Sequence, residues 1–197
     1  DRKKIKFTGL EAARRDNCAM SRDLQMAVLK KLLLELDVDG AIEYVRRKCI
    51  DLLEGRIDIS QLIITKQISK SDYKTQKLPH LMVANKKRLR GEPPIEIGER
   101  VPFVILKGTI SKNSSVNAED PSHVLEHDLQ IDYEYYLEKQ IKKSLLRVFT
   151  RIPGMNNLED RLFANLTSKK YSASLQPHDG MFDYVRIQHE CIGECGT

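Results

Sequence analysis

Apolar side chains recur at helical spacing through the first quarter of the chain, with one sharp interruption. The first stripe predicts a long helix over about residues 10–36 and consists of Leu24, Val28, Leu29, Leu32, Leu33 and Leu36. The sequence DVDG at 37–40 ends that helix, and we expect Asp39 to cap a second one that stops near Gly55. Its stripe consists of Ile42, Val45, Cys49 and Leu53. The pattern predicts a helical hairpin and favours capping over metal binding for Asp37 and Asp39.

Shorter patterns beyond Gly55 add a small amount of β structure to this helical frame. Two β-branched runs at residues 62–65 and 101–106 predict strands, and Pro102 suits a sheet edge or a strand start. Pro79 is expected to open a helix over residues 80–90, and a polar loop is expected over 108–117. Asp132 is expected to cap a further helix striped by Tyr133, Leu137, Ile141, Leu145 and Val148. The predicted fold class is α+β and predominantly helical.

Charge alternates in sign along the chain, which is more informative than the net charge of +5. Residues 66–90 contain eight basic side chains and a single acid, Asp72, a net of +7. Residues 119–138 contain seven acidic side chains and neither Lys nor Arg. We expect the basic excess to be too large for internal pairing. Residues 66–90 should therefore face the phosphates of a polyanion, and residues 119–138 should face away from it.

Composition and short motifs narrow the class of protein. No apolar run approaches the roughly 18 residues of a membrane span. The basic start without an apolar signal core favours an excised piece over a secreted precursor. Four cysteines without framework spacing favour a reducing compartment. Glycine-rich phosphate loops, Gly-x-Ser-x-Gly elbows and His-Glu-x-x-His motifs do not occur in the sequence, so no catalytic residue is assigned.

The last motif, CIGEC at residues 191–195, supplies at most half of a metal site. A structural zinc site needs four ligands, and Cys191 and Cys195 provide two, to which His189 could add a third. A pair of free thiols is the simpler interpretation.

Several ordered blocks resemble the C-terminal part of family B DNA polymerases of the delta type. The first is GLEAARRDNC at 9–18, similar to the GLEAVRRDNC run of that family. The later blocks are RIDISQLIITK at 56–66, GERVPFVI at 98–105, EDP at 119–121, VLEH at 124–127, YYLEKQI at 135–141 and LLRVF at 145–149. Cys191-Ile192-Gly193 is similar to the entrance of the family's first C-terminal cysteine motif, but Glu194 departs from its Cys-x-x-Cys spacing.

The resemblance implies a division into the end of the palm (1–22), the thumb (23–180) and a tail leading into a truncated cysteine motif (181–197). It implies that the parent is a nuclear or large-virus DNA-directed DNA polymerase, a nucleotidyltransferase with accessory subunits and a sliding clamp. The parent would use Mg²⁺ held by aspartates in motifs expected to precede Asp1, and zinc or an iron–sulfur cluster in its cysteine motifs. The piece itself is expected to bind primer–template duplex without polymerising.

The same resemblance, with the basic window, implies a set of DNA-binding side chains that act mainly on backbone phosphates. Lys6, Arg14 and Arg15 would lie nearest the primer end. The remaining members of the set are Lys66, Tyr73, Lys77, His80, Lys86, Lys87, Arg88 and Arg100. His80 could equally be a packed and satisfied core residue. Two other interpretations stay open: a free-standing nucleic-acid-binding module, and a docking domain that recruits accessory subunits through residues 119–138 and the terminal cysteines.

Overall fold

The helical hairpin at the start of the chain is present in a computed structural model, which describes residues 16–108, 114–150, 152 and 157–166. Helix α1 is Ala19–Lys30 and continues as a π-helical segment, Lys31–Glu35. Helix α2 is Val38–Leu53. The predicted start of the first helix near residue 10 lies outside the described residues. The end of the hairpin near Gly55 is confirmed.

The cap between the two helices is Asp37 rather than the predicted Asp39. An Asp37 Oδ1 atom accepts a hydrogen bond from the Gly40 N–H at 2.8 Å. This turn also explains Gly40, because a Cβ atom there would collide with the Asp37 carboxylate. Before the cap, Leu36 takes a left-handed conformation with φ of 52°, which stops the first helix.

The first apolar stripe is buried only along its N-terminal part. Leu24, Val28 and Leu29 are buried, whereas Leu33 and Leu36 are 58% and 80% exposed. The π-helical segment closes wider turns than an α-helix and so rotates the side chains that follow it out of the α register. The predicted single stripe from Leu24 to Leu36 is therefore confirmed only in its first part, and its last members, Leu33 and Leu36, face solvent.

A three-stranded antiparallel sheet, ordered β1-β2-β3, follows the hairpin. Strand β1 is Ile64–Gln67, β2 is Arg100–Ile105 and β3 is Ala118–Glu119. The first predicted strand began too early, because Leu62 ends the short helix α3, Ile59–Leu62, which Asp58 caps. Pro102 lies in the central strand, but β3 pairs only with Val104 and Ile105 and leaves Pro102 unpaired on that side.

The remaining helices pack on both the sheet and the hairpin. Helix α4 is Pro79–Leu89, with the proline in its first turn as predicted, and it lies against β2 and β3. Helix α5 is Pro121–Glu126. A further helical run comprises α6 (Tyr133–Tyr135), a π-helical segment (Tyr136–Lys142) and α7 (Lys143–Phe149), and Asp132 caps it as predicted. Helix α8, Leu158–Phe163, packs on α2 and α7.

One hydrophobic cluster joins the hairpin, α7, α8 and the sheet. Cys18 and Met20 belong to the same cluster as Leu24, so the predicted palm–thumb boundary at residue 22 stays a prediction. Burial raises the pKa of the Cys18 thiol to about 11 and that of Cys49 to about 12, which keeps both thiols protonated and unreactive. Within the described residues, no helix is both long enough and apolar enough to cross a membrane.

Candidate nucleic-acid interface

Five of the side chains around β1 and the start of α4 form one group, which we call the β1–α4 face: Asp16, Lys66, Tyr73, His80 and Arg100. The pairing of β1 with β2 sets Lys66 opposite Val101 and Gln67 opposite Arg100. The rings of Tyr73 and His80 meet edge to face, with 5.8 Å between centroids. The Lys66 and Asp16 charges both act on the His80 imidazole. Four residues predicted to bind DNA are therefore brought together.

Arg100 holds β1 in position through hydrogen bonds to Thr65. Its guanidinium donates to the Thr65 carbonyl oxygen at 2.7 Å and to the Thr65 Oγ1 atom at 3.1 Å. The Asp16 carboxylate lies 3.5 Å from the same guanidinium. Since Lys66 follows Thr65, these bonds fix the strand that presents the Lys66 ammonium to solvent.

His80 is enclosed rather than exposed at this face. Only 1% of the residue is accessible, and neither ring nitrogen has a hydrogen-bond partner among the described residues. Burial, followed by the nearby Lys66 ammonium, lowers the pKa of His80, and Asp16 only partly opposes this. The imidazole is therefore packed and neutral at pH 7. The expectation that a packed His80 would have hydrogen-bond partners is not met among the described residues.

Tyr73 lies over His80 with its hydroxyl held by the chain. The Ser69 N–H donates to the Tyr73 oxygen at 2.8 Å, and the Ser69 hydroxyl lies 3.3 Å away. The hydrogen bonds from Ser69, aided by the Lys70 charge, lower the pKa of the Tyr73 phenol. The segment between β1 and α4 is thereby tied down at its start.

Exposed cations lie on β1, on the segment between β1 and α4, and in the last turn of α4. Within residues 66–90, all of which are described, five cationic side chains form no ion pair with a described residue: Lys66, Lys70, Lys74, Lys77 and Arg88. Against the one acid of the window, Asp72, they leave a net charge of +4. Among the described residues, the Arg88 guanidinium donates to the neutral side chain of Asn85, at 3.0 Å. This charge is free to attract an anion.

The other three cations of the window are neutralised inside the protein, contrary to expectation. Lys86 and Arg90 contact the two oxygens of the Glu119 carboxylate at 3.0 and 2.9 Å. Lys87 contacts Asp120 at 3.0 Å and Glu92 at 2.9 Å. We call these six side chains, including the Arg90–Glu92 pair, the α4 network.

The α4 network corrects the expectation that the basic excess is too large for internal pairing, because the first two acids of the acidic segment pair with cations of the basic one. That residues 119–138 face away from a polyanion stays a prediction. Strand β3 carries Glu119 against α4, and Asp120 follows it directly. Burial of Glu119 acts to raise the pKa of that carboxyl, but the Asp120 N–H, Arg90 and Lys86 outweigh it and lower the pKa. Internal pairing was underestimated because β3, a two-residue strand, gave no recognisable sequence signal. The predicted contact of Lys86 and Lys87 with DNA stays a prediction.

Other predicted residues lie outside the described part of the chain. These are Lys6, Arg14, Arg15, Cys191 and Cys195. Thr65 at the β1–α4 face has no sequence signal, because the pairing of β1 with β2 brings it to Arg100. Asp16 reaches Arg100 from the segment before α1, a long-range contact that also has none.

Among the described residues, one close group of three metal-ligating side chains exists, on α5 and the residue that caps its C-terminus: His123, Glu126 and His127. Two imidazoles and one carboxylate differ from the oxygen-rich donor set that Mg²⁺ takes in phosphoryl-transfer enzymes. We therefore assign no catalytic magnesium to these residues. The His-x-x-Glu-His spacing was the sequence signal for this group.

Comparison with known proteins places the chain in a family. The family model described as DNA polymerase family B matches residues 1–152. The chain belongs to DNA polymerase family B.

More specific similarity is to delta-type catalytic subunits. The chain is 42% identical over 194 residues to the DNA polymerase delta catalytic subunit of Dictyostelium discoideum, and 38% identical over 192 residues to that of Drosophila melanogaster. These alignments cover 98% and 96% of the chain but only 17% of each relative. The chain thus spans about a sixth of the length of these proteins.

A solved structure shares the fold. The family B DNA polymerase from the hyperthermophilic archaeon Pyrobaculum calidifontis matches with a TM-score of 0.60 and 26% identity. The match covers 72% of this chain and 19% of that one.

Proposed function

We propose that the chain is the end of the palm and the thumb of a replicative, delta-type DNA-directed DNA polymerase. In this role it holds the primer–template duplex behind the active site without reading its sequence. The carrying observation is the excess of exposed cations in residues 66–90 that form no ion pair with a described residue, Lys66, Lys70, Lys74, Lys77 and Arg88, in a chain that belongs to DNA polymerase family B. Phosphates are the groups such a face recognises on any duplex.

The geometry supports different roles for the proposed DNA-binding residues. Lys66 and Lys77 are exposed and bear no ion pair with a described residue, which suits direct phosphate contact. Arg100 would position β1, and Tyr73 would cover His80 while offering its ring edge to the duplex. His80 would act by supporting Tyr73, because an imidazole with 1% exposure cannot reach a phosphate unless its cover moves.

Further proposals concern the parent protein. It would add deoxynucleotides by phosphoryl transfer with Mg²⁺, work in the nucleus or at a viral replication site, and join accessory subunits and a sliding clamp. Cys191 and Cys195 would lead into its metal-binding cysteine motifs. Neither alternative, the free-standing binding module or the subunit-docking domain, has an observation of its own in its favour.

The test is the salt dependence of duplex binding by the 197-residue chain. Fluorescence anisotropy with a primer–template duplex at several salt concentrations gives the slope of log K against log salt. Replacing Lys66, Lys74 and Lys77 with alanine should reduce the magnitude of that slope by up to about three, since each phosphate contact contributes about 0.9.

A charge-matched control comes from exposed lysines on other helices. Lys30, Lys139 and Lys143 are exposed lysines on α1, the second π-helical segment and α7, and α7 packs on α1 and α8. Their triple alanine variant should keep most of the wild-type slope. Equal slopes for the two triple variants would show that Lys66, Lys74 and Lys77 make no special contact with DNA.

A further inference from the structure

The three side chains on α5 have the composition of a transition-metal site that DNA binding does not use. One ligand atom from each of His123, Glu126 and His127 lies within 4.8 Å of the others. Ligands about 2.0–2.1 Å from a tetrahedral zinc ion are about 3.3 Å apart, so binding needs a closure of about 1.5 Å at most. Glu126 and His127 are exposed, and rotation of their side chains can supply that movement.

Hydrogen bonding already orients one of the imidazoles as a ligand. The Nδ1 atom of His127 lies 3.1 Å from the His123 carbonyl oxygen. Because a carbonyl can only accept, Nδ1 carries the proton of this bond and the lone pair is on Nε2. A backbone carbonyl that fixes the tautomer in this way is the usual outer partner of a metal-bound histidine.

The two histidine rings are also held next to each other. Their centroids are 4.0 Å apart with an interplanar angle of 38°. Residues four apart face the same side of a helical turn, which lets both imidazoles approach one ion.

The backbone beneath the ligands is anchored at both ends. Asp120 caps α5 by accepting from the His123 N–H, and the same carboxylate is held by Lys87. Val124, between the ligands, is buried, and its carbonyl accepts from the Leu129 N–H at 3.1 Å. The ligand-bearing turn therefore needs little ordering when an ion binds.

We propose that His123, Glu126 and His127 bind a divalent transition-metal ion of the zinc type. Imidazole nitrogens suit zinc, cobalt, nickel and copper better than magnesium or calcium. Three protein ligands leave a fourth position for water or for a ligand from another molecule.

The experiment must separate this site from the terminal cysteines. The background is therefore the 197-residue chain with Cys191→Ser and Cys195→Ser, freed of metal by a chelator and titrated with Zn²⁺ by isothermal calorimetry. We expect one Zn²⁺ per chain, bound at least about tenfold more weakly after His123→Asn, His127→Asn or Glu126→Gln. Leu125→Ala, an exposed change in the same helix that keeps all three ligands, should bind Zn²⁺ as the background does.

A second measurement needs no variant of the ligands. Long-range ¹H–¹⁵N spectra of the background should show the ring nitrogens of two histidines shifting on Zn²⁺ addition, with His127 retaining its Nδ1 proton. The proposal is overturned when the background binds no Zn²⁺, when both asparagine variants bind it unchanged, or when no imidazole resonance moves.

Discussion

A fully enclosed imidazole without a hydrogen-bond partner is stable only as the neutral form, and His80 is in this position. Its environment was not predictable from the sequence. Pro79 marks the start of the helix in the local sequence. The ring of His80, however, is covered by Tyr73, and the positive charge beside it is that of Lys66 on β1. Such long-range contacts leave no periodic signal.

His80 should make the free energy of unfolding depend on pH below neutrality. Well above pH 6.5, the ordinary pKa of histidine, the imidazole is neutral in both states. As the pH falls below that value, the unfolded chain takes up a proton that the folded chain resists, because the folded pKa is lowered. Stability should therefore decrease by up to about 1.4 kcal/mol per pH unit from this group. Urea unfolding at pH 7.5 and 5.5 measures it.

The matched variants for this measurement are His80→Phe and His127→Asn. The first keeps a planar ring against Tyr73 but cannot titrate, so its stability should change less between the two pH values. The second removes an exposed imidazole and should retain the wild-type decrease. A wild-type decrease that persists in His80→Phe would assign the effect to other groups.

At the scale of elements, helix α4 combines a well-predicted backbone with unpredicted partners. Its start and length follow from Pro79 and the sequence to Leu89. Its ion pairs depend on β3. That strand spans only two residues and forms only by pairing with Val104 and Ile105 of β2. Lys86 also donates to the Ala118 carbonyl oxygen at 2.7 Å. Helix α4 is therefore held to β3 both by ion pairs and by a hydrogen bond to the strand backbone.

Replacing Lys86 with methionine should destabilise the fold more than it weakens DNA binding. The change removes one of two cations from Glu119, whose side chain is only 8% exposed, and leaves the Ala118 carbonyl without this donor. We expect a loss of about 1–3 kcal/mol in chemical unfolding. Arg88→Met, on the exposed side of the same helix, should stay within about 0.5 kcal/mol of wild type.

The same two variants test the role of Lys86 in duplex binding. A direct phosphate contact would lower the salt slope by about one when its side chain is neutralised. That outcome is expected for Arg88→Met under the proposed function. A full unit lost in Lys86→Met at unchanged stability would contradict a structural role for the α4 network.

For the whole molecule, the central question is how the helices are joined to the sheet. The α+β class and the hairpin were predictable from periodicity, because Leu24, Val28 and Val45 keep helical spacing and are buried. The contact that joins the helices to the sheet was not predictable from periodicity. It depends on the second π-helical segment, Tyr136–Lys142, which no local propensity marks and which brings Tyr136 against β2.

Tyr136 makes that joint through a buried hydrogen bond. The Ile105 N–H of β2 donates to the Tyr136 hydroxyl oxygen at 3.1 Å, and the side chain is fully buried. Tyr136→Phe keeps the ring but leaves this N–H unsatisfied, which should cost about 1–3 kcal/mol of unfolding free energy. Circular dichroism and tyrosine fluorescence, followed through urea unfolding, measure the loss and should still report one coincident transition.

Tyr44→Phe is the control for this change, since the Tyr44 hydroxyl forms no hydrogen bond with a described residue. It should alter stability by no more than about 0.5 kcal/mol. If Tyr136→Phe were as mild as Tyr44→Phe, the bond to Ile105 would not connect the two parts energetically. If the two probes separated in Tyr136→Phe alone, the bond would also be what makes the helical run from Tyr133 to Phe149 and the sheet unfold as one unit.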